Sequence, residues 1–308
     1  MTSTNRVVLA TLACVVAAAC WALNAVVAAG AFERGISPEQ LAEARVVVAL
    51  IPLAAYLVIT RRDLLVPRRE AIPALLGFGA CMMAVNLVYY VAIDRVPVGV
   101  AIALQYTAPV LILVGTAAVT QTLPARTVWV AGGLTLGGAA LVSGAIGGVS
   151  ASLDRLGLLA GVAAALTFAG YLLLAELAGR RGSHPVTTLF IGFCVAVAIW
   201  AAVLPLWDWP FALLSDPDVL WRVLAVGLLG TLLPFALAVA ALRWISSALA
   251  AIATTTEPVL AAVLAWLLLG QALAPTQLIG GGLVVAGVLV AQLTREPSPR
   301  AAPVELTP

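Results

Sequence analysis

Apolar runs of roughly twenty residues follow one another along this chain from Val7 to Leu293, separated by short polar, proline-bearing or glycine-bearing stretches. A helix of about 20 residues crosses the ~30 Å hydrocarbon layer of a bilayer. Ten runs of that length can be marked off, at 7–29, 38–60, 71–93, 98–120, 127–146, 155–177, 185–207, 218–241, 246–269 and 275–293. Val7–Ala29 exceeds the apolar stretch of a signal peptide, and nine runs follow it, so it is expected as a retained helix. The pattern predicts an all-α polytopic membrane protein with ten transmembrane helices.

Polar residues inside the runs carry the next layer of information. Ser37-Pro38-Glu39-Gln40 is a capping box with proline at the first helical position, which sets the start of the second helix. Thr254-Thr255-Thr256-Glu257-Pro258 places three hydroxyls and a carboxylate in the turn before a proline, and Gln105-Tyr106-Thr107-Ala108-Pro109 has the same form. A proline has no N–H for the carbonyl four residues back, so bends are expected at Pro109 and Pro258, freeing the carbonyls of Gln105 and Thr254. Asn24, three residues after Trp21, is either interhelical glue or a cavity group. Arg45 either snorkels to the external surface or lines a cavity as a cation. It points about 200° away from Glu43 and cannot pair with it. Asn86, Tyr90 and Asp94 share one helix face and suggest a water-accessible wall. Tyr171 takes the place of Asn24 when Phe168 is set against Trp21. Glu176 is expected at the interface beside Arg180, Asp218 is expected to pair with Arg222, and Trp207, Trp209 and Trp221 are expected in an interfacial belt.

Composition narrows the function classes. With 63% hydrophobic and 10% charged residues, the chain has too few charges for a soluble globule, in which about a quarter would be charged. No basic patch with interleaved aromatics suggests a nucleic-acid partner. The four cysteines, Cys14, Cys20, Cys81 and Cys194, lie within predicted spans without metal-ligand or redox spacing, and the single histidine, His184, sits in a loop. No metal site and no cofactor are expected. All sixteen basic residues are arginines; a cytoplasmic N-terminus places eleven of them inside and three outside, so both termini are expected in the cytoplasm.

The two proline motifs belong to an internal repeat. At a constant offset of 149, the segment 92–142 matches 241–291 at thirteen of 51 positions, including Thr107, Pro109, Gly132, Gly133 and Gly138. Each half holds five crossings, an odd number, so the second half enters the membrane from the opposite side. The expected organisation is a first five-helix repeat at 7–146, a linker at 147–154, a second, inverted repeat at 155–293 and a disordered cytoplasmic tail at 294–308. Inverted repeats with broken helices at the midplane are an architecture of alternating-access transporters. Gly133 and Gly137, four apart in the fifth helix, and Gly280 to Gly282 with Gly287 in the tenth suit close packing, within the protomer or across a homodimer.

Trp21 to Asn24, Arg45, Val96-Pro97-Val98-Gly99 before Pro109, and Thr256-Glu257-Pro258 leading through Trp266 to Leu269-Gly270 together resemble the bacterial ten-helix EamA-domain transporters of the drug/metabolite transporter superfamily. The likeness extends over both halves. Where that family has a glutamate after the glycine closing the ninth helix, this chain has Gln271. The resemblance implies a secondary transporter of the cytoplasmic membrane, exporting amino acids or related small metabolites through a central cavity, or alternatively drugs or toxic compounds. The chain has no lysine and so no Gly-x-x-x-x-Gly-Lys phosphate loop for nucleotide hydrolysis. An intramembrane lipid-processing enzyme would need clustered acids or histidines, and the buried acids are scattered. The expected substrate-binding residues are Trp21, Asn24, Arg45, Asn86, Tyr90, Gln105, Tyr171, Thr254 and Glu257, with Arg45 suited to a carboxylate and Glu257 to an ammonium. Glu257 also has a structural reading, as an acid tied down within the bend at Pro258.

Overall fold

The structure is a computed structural model that describes residues 3–96, 98–120, 123–143, 154–204, 209–269 and 274–292. Most of the expected linker, the tail, Trp207 and Gln271 lie outside those residues. All regular structure among the described residues is helical. The helices are α1 (Ser3–Phe32), α2 (Pro38–Thr60), α3 (Ile72–Arg95), α4 (Val98–Gln105), α5 (Ala108–Thr120), α6 (Arg126–Val142), α7 (Arg155–Arg180), α8 (Pro185–Val203), α9 (Pro217–Gly227), α10 (Leu233–Ala241), α11 (Ser247–Thr254), α12 (Glu257–Leu269) and α13 (Pro275–Gln292). Eight spans are long and apolar enough to cross a membrane, and Arg126–Val142 and Pro275–Ala291 are shorter apolar helices. Lipid cannot bond an exposed peptide group, which is why an apolar chain of this kind closes its backbone bonds inside helices.

Local signals in the sequence place several helix ends. Ser37 Oγ accepts from Gln40 N and the Gln40 side chain accepts from Ser37 N, so the capping box at α2 is complete. Asp218 pairs with Arg222 at 3.2 Å and also with Arg34, which ties the start of α9 to the end of α1. Two expectations are corrected by packing. Glu176 lies beside Arg180 as expected, one carboxylate oxygen accepting from it at 2.7 Å, but it is 8% exposed, and its other oxygen accepts from Ser247 N at 2.7 Å, capping α11. Trp209 is also buried, donating its indole N–H to the Gln40 carbonyl, whereas Trp221 is exposed as a belt residue would be.

Packing partners interlock the two halves. α1 lies on α9 and α10, and α7 lies on α3; α1 also meets α11 and α12, as α7 meets α4 and α5. α2 packs on α9, α8 packs on α3, and α6 packs on α13. When α1–α6 are set against α7–α13 in order, each of these contacts has its counterpart. Lipid supplies no hydrophobic gain for joining two helices, so close approach must come from small residues. At the α6–α13 seam a Cβ on Gly138 would lie 2.6 Å from the Gly280 carbonyl, and one on Gly280 would lie 2.6 Å from that of Gly138. These glycines are used inside the chain.

Candidate functional site

Two helical runs are broken, and the two breaks coincide at the offset of 149: α4 ends at Gln105 and α5 begins at Ala108, while α11 ends at Thr254 and α12 begins at Glu257. Proline explains the common position, because Pro109 and Pro258 offer no N–H to Gln105 and Thr254. Threonine hydroxyls take over part of the bonding. Thr107 Oγ1 donates to Leu104 O at 2.7 Å, and its counterpart Thr256 donates to Ala253 O at 2.8 Å. Thr255 and Thr254 both donate to Ala251 O.

The two breaks meet. Tyr106, in the first, donates its hydroxyl to Glu257 Oε2, in the second, at 2.5 Å. A carboxylate inside a membrane span is costly unless it is bonded or paired, and a bond to a charged group is worth about 1.5–3 kcal/mol. Both halves therefore contribute to holding this acid.

Arg45 is only 6% exposed, so the snorkelling alternative is overturned. Its Nε donates to Thr231 Oγ1 at 2.7 Å, Nη2 to Gly230 O at 2.8 Å, and Nη1 to Asn86 Oδ1 at 3.0 Å. The receiving segment, Leu228–Leu232, is a π-helical turn between α9 and α10, closed by Leu233 N to Leu228 O. Pro234 has no N–H for Gly230 four residues back, so that carbonyl is left for the guanidinium. Thr231 also donates to Val226 O at 2.8 Å, five residues back. Gly230 is required by close approach: a Cβ there would lie 2.0 Å from Asn24 Oδ1. π-turns of this kind recur at functional sites.

These groups border a cavity of about 310 Å³. α1 contributes Trp21, Asn24, Ala28 and Phe32, one face that extends the cavity ~16 Å along the helix toward its C-terminal end. Arg45, Asn86, Tyr89, Gln105 and Tyr106 line it from the rest of the first half, and Phe168, Tyr171, Phe235 and Glu257 from the second. An aromatic layer floors it. Trp21 contacts Phe235 edge-on with ring centres 5.6 Å apart, Phe235 contacts Tyr171 at 5.6 Å, Tyr171 contacts Phe168 at 5.1 Å, and Phe168 contacts Tyr106 at 6.1 Å.

Of the nine residues expected from the sequence, Trp21, Asn24, Arg45, Asn86, Gln105, Tyr171 and Glu257 border this cavity. Thr254 does not; it is fully buried with its hydroxyl turned back to Ala251 O. The side chains of Tyr90 and Asp94 lie outside the described residues, and the neighbouring Tyr89 is the tyrosine of α3 that lines the cavity. Asn24 Oδ1 and the Tyr171 hydroxyl oxygen are buried without a protein partner.

The sequence model of the EamA-like transporter family matches this chain twice, at residues 8–144 and 155–292. The chain belongs to the EamA-like transporter family. It is a multi-pass protein of the cell membrane and a transporter rather than an enzyme. Among similar proteins is the threonine/homoserine exporter RhtA of Escherichia coli strain K12, 30% identical over 226 residues, 71% of each chain. Another is the uncharacterized transporter sll1319 of Synechocystis sp. PCC 6803, 30% identical over 226 residues, covering 71% of this chain and 66% of that one. A solved crystal structure with 19% sequence identity superposes with a TM-score of 0.72 over 92% of this chain and 96% of that chain, a likeness of fold.

Several residues that line or brace the candidate site of this EamA-like transporter carry no strong signal in the sequence. Phe235, Thr231 and Gly230 come from a stretch read only as an uninterrupted apolar span. A signal was present: Pro234 lies four residues after Gly230, the same arithmetic that marks Gln105 and Thr254. Tyr106 belongs to the first proline motif, and nothing local marks it as the partner of Glu257.

Proposed function

We propose that this chain is a secondary transporter that exports amino acids or related small metabolites by alternating access, with the cavity between the two halves as its binding site. One observation carries the reading: Arg45 and Glu257, a cation and an acid placed by opposite halves, border one cavity in the interior of the helical bundle. A zwitterionic amino acid presents the complementary pair, its carboxylate to Arg45 and its ammonium to Glu257, with Trp21, Phe235 and Tyr171 as the apolar wall. A volume of about 310 Å³ equals roughly ten waters of the liquid, room for a small amino acid with some of its hydration. The buried, unpartnered Asn24 Oδ1 and Tyr171 hydroxyl add polar groups of the kind that a bound molecule satisfies. The similarity to a threonine/homoserine exporter supports the same substrate class.

In this reading the chain has ten crossings arranged as two inverted five-helix repeats, 7–146 and 155–293, joined by a linker at 147–154, with both termini and the tail at 294–308 in the cytoplasm. The coincident helix breaks and the reciprocal packing of the halves support it. Rocking one half against the other exposes the cavity to each side in turn. A homodimer would use the glycines that the α6–α13 seam leaves over, Gly133, Gly137 and Gly282, beside which an added Cβ meets nothing within 4 Å.

Counterflow of radiolabelled amino acids in proteoliposomes, with and without a pH gradient, tests the proposal. Exchange of threonine, homoserine or another small amino acid is expected. Failure of every amino acid and of a broad metabolite panel to exchange removes it. Glu257→Gln separates the roles of the acid: unchanged transport and pH dependence with lower stability makes Glu257 structural.

A further inference from the structure

Two polar links cross between the halves at the cavity, and both occupy the atoms that the proposed substrate would need. On one side Arg45, from α2, donates to the Gly230 carbonyl and the Thr231 hydroxyl of the second half. On the other, Tyr106 of the first half donates to Glu257 Oε2 of the second. Neither link joins neighbours in sequence; the partners are 151 residues apart in one case and 185 and 186 in the other. Each ends on a helix irregularity, a π-turn or a proline break, where the backbone is not locked by regular helix bonding.

We infer that these links hold the two halves in the present conformation, and that the substrate releases them by taking over their ends, so that Tyr106 and Thr231 are positioning residues that decide which molecules are carried. The inference rests on the amino-acid reading of the cavity given above. A carboxylate competes for the Arg45 N–H groups now donated to Gly230 and Thr231, and an ammonium competes for the Glu257 oxygen now accepting from Tyr106. A molecule with both groups replaces both cavity links by bonds to itself, leaving the halves joined at the cavity only through packing and substrate, with the bonds of Asp218 to Arg34 and of Trp209 to the Gln40 carbonyl remaining at the periphery. A molecule with one group replaces one link. The other still ties the halves together, and the molecule is bound without being carried. Selection thus acts on the conformational step as well as on affinity, because a ligand shifts an equilibrium only by its differential contacts with the two states.

The test compares L-threonine with two analogues, 3-hydroxybutyrate, which lacks the amino group, and 1-amino-2-propanol, which lacks the carboxylate. In the wild-type protein both analogues are expected to compete with labelled threonine, and neither is expected to drive counterflow. Tyr106→Phe removes one hydroxyl and keeps the ring against Phe168; 3-hydroxybutyrate should then be exchanged, its rate rising by about tenfold or more, the scale of one hydrogen bond to a charged group. Thr231→Val weakens the other link and should raise exchange of 1-amino-2-propanol instead. Transport of either analogue by the wild-type protein overturns the inference, and that measurement needs no variant to fold. Threonine exchange with unchanged analogue discrimination in both variants also overturns it while leaving the amino-acid reading intact. If no amino acid is exchanged by the wild-type protein, the reading fails and the inference fails with it.

Discussion

The two broken crossings share a backbone and differ in chemistry. At both, a helix ends four residues before a proline and a new one starts just before it, with a threonine hydroxyl bonded three residues back, Thr107 to Leu104 and Thr256 to Ala253. The first break then places a phenol at Tyr106, whose counterpart is Thr255, and the second a carboxylate at Glu257, whose counterpart is Ala108. One bend occurs twice. Its side chains differ so that the two bends are complementary, a donor facing an acceptor. A pair of carboxylates facing each other would repel, and a pair of apolar breaks would leave the cavity without an anchor.

The comparison can be broken most severely by making the halves alike. Ala108→Glu installs a second carboxylate in a position with no exposed surface, and should destabilise the protein by about 3 kcal/mol for the charge and about 1–3 kcal/mol more for overpacking. Thermal unfolding of purified protein in detergent measures the loss, and a variant as stable as wild type would contradict the assigned burial. Next in size, Tyr106→Phe leaves Glu257 without its donor and should cost about 1.5–3 kcal/mol in the same assay, with Glu257→Gln costing less because an amide is easier to bury.

Restoring an N–H to either break gives a smaller, asymmetric effect. Pro258→Ala should slow threonine counterflow by roughly fivefold, equivalent to about 1 kcal/mol, because it re-aims the carboxylate. Pro109→Ala should slow it less, since Ala108 carries no polar group. Equal slowing would mean that the bends matter as hinges alone. The smallest effect belongs to the threonines: Thr107→Val and Thr256→Val each lose one side-chain bond to a carbonyl, about 0.5–1.5 kcal/mol of stability, and should be nearly the same. A large difference between them would show that the shared backbone is less alike than its hydrogen bonds.

Much of the site was legible because its signals are local. Pro109 and Pro258 mark the breaks, since the missing N–H acts on a carbonyl four residues away. Trp21, Asn24, Asn86, Tyr171 and Glu257 are polar or aromatic residues in apolar runs, where each needs a partner or a cavity. Arg45 was ambiguous for a physical reason. A long side chain one to two turns inside a helix can reach the headgroups or turn inward, and only the π-turn with the Gly230 carbonyl decides between them. Thr254 was misplaced because three consecutive threonines span all sides of a helix, and the sequence does not say which side faces the cavity.

The sequence by itself determined the all-helical, membrane-spanning class, the two coincident breaks, the recurring proline motif and the charges set among apolar runs. These follow from segment length, from proline and from periodicity, all of which act within a few residues. Only the tertiary structure decided that Tyr106 meets Glu257, that Arg45 is held by the other half and that Gly138 of α6 and Gly280 of α13 are spent on each other. Those contacts join residues more than a hundred positions apart, so they depend on how interlocked helices pack, which no local hydrogen-bond rule specifies.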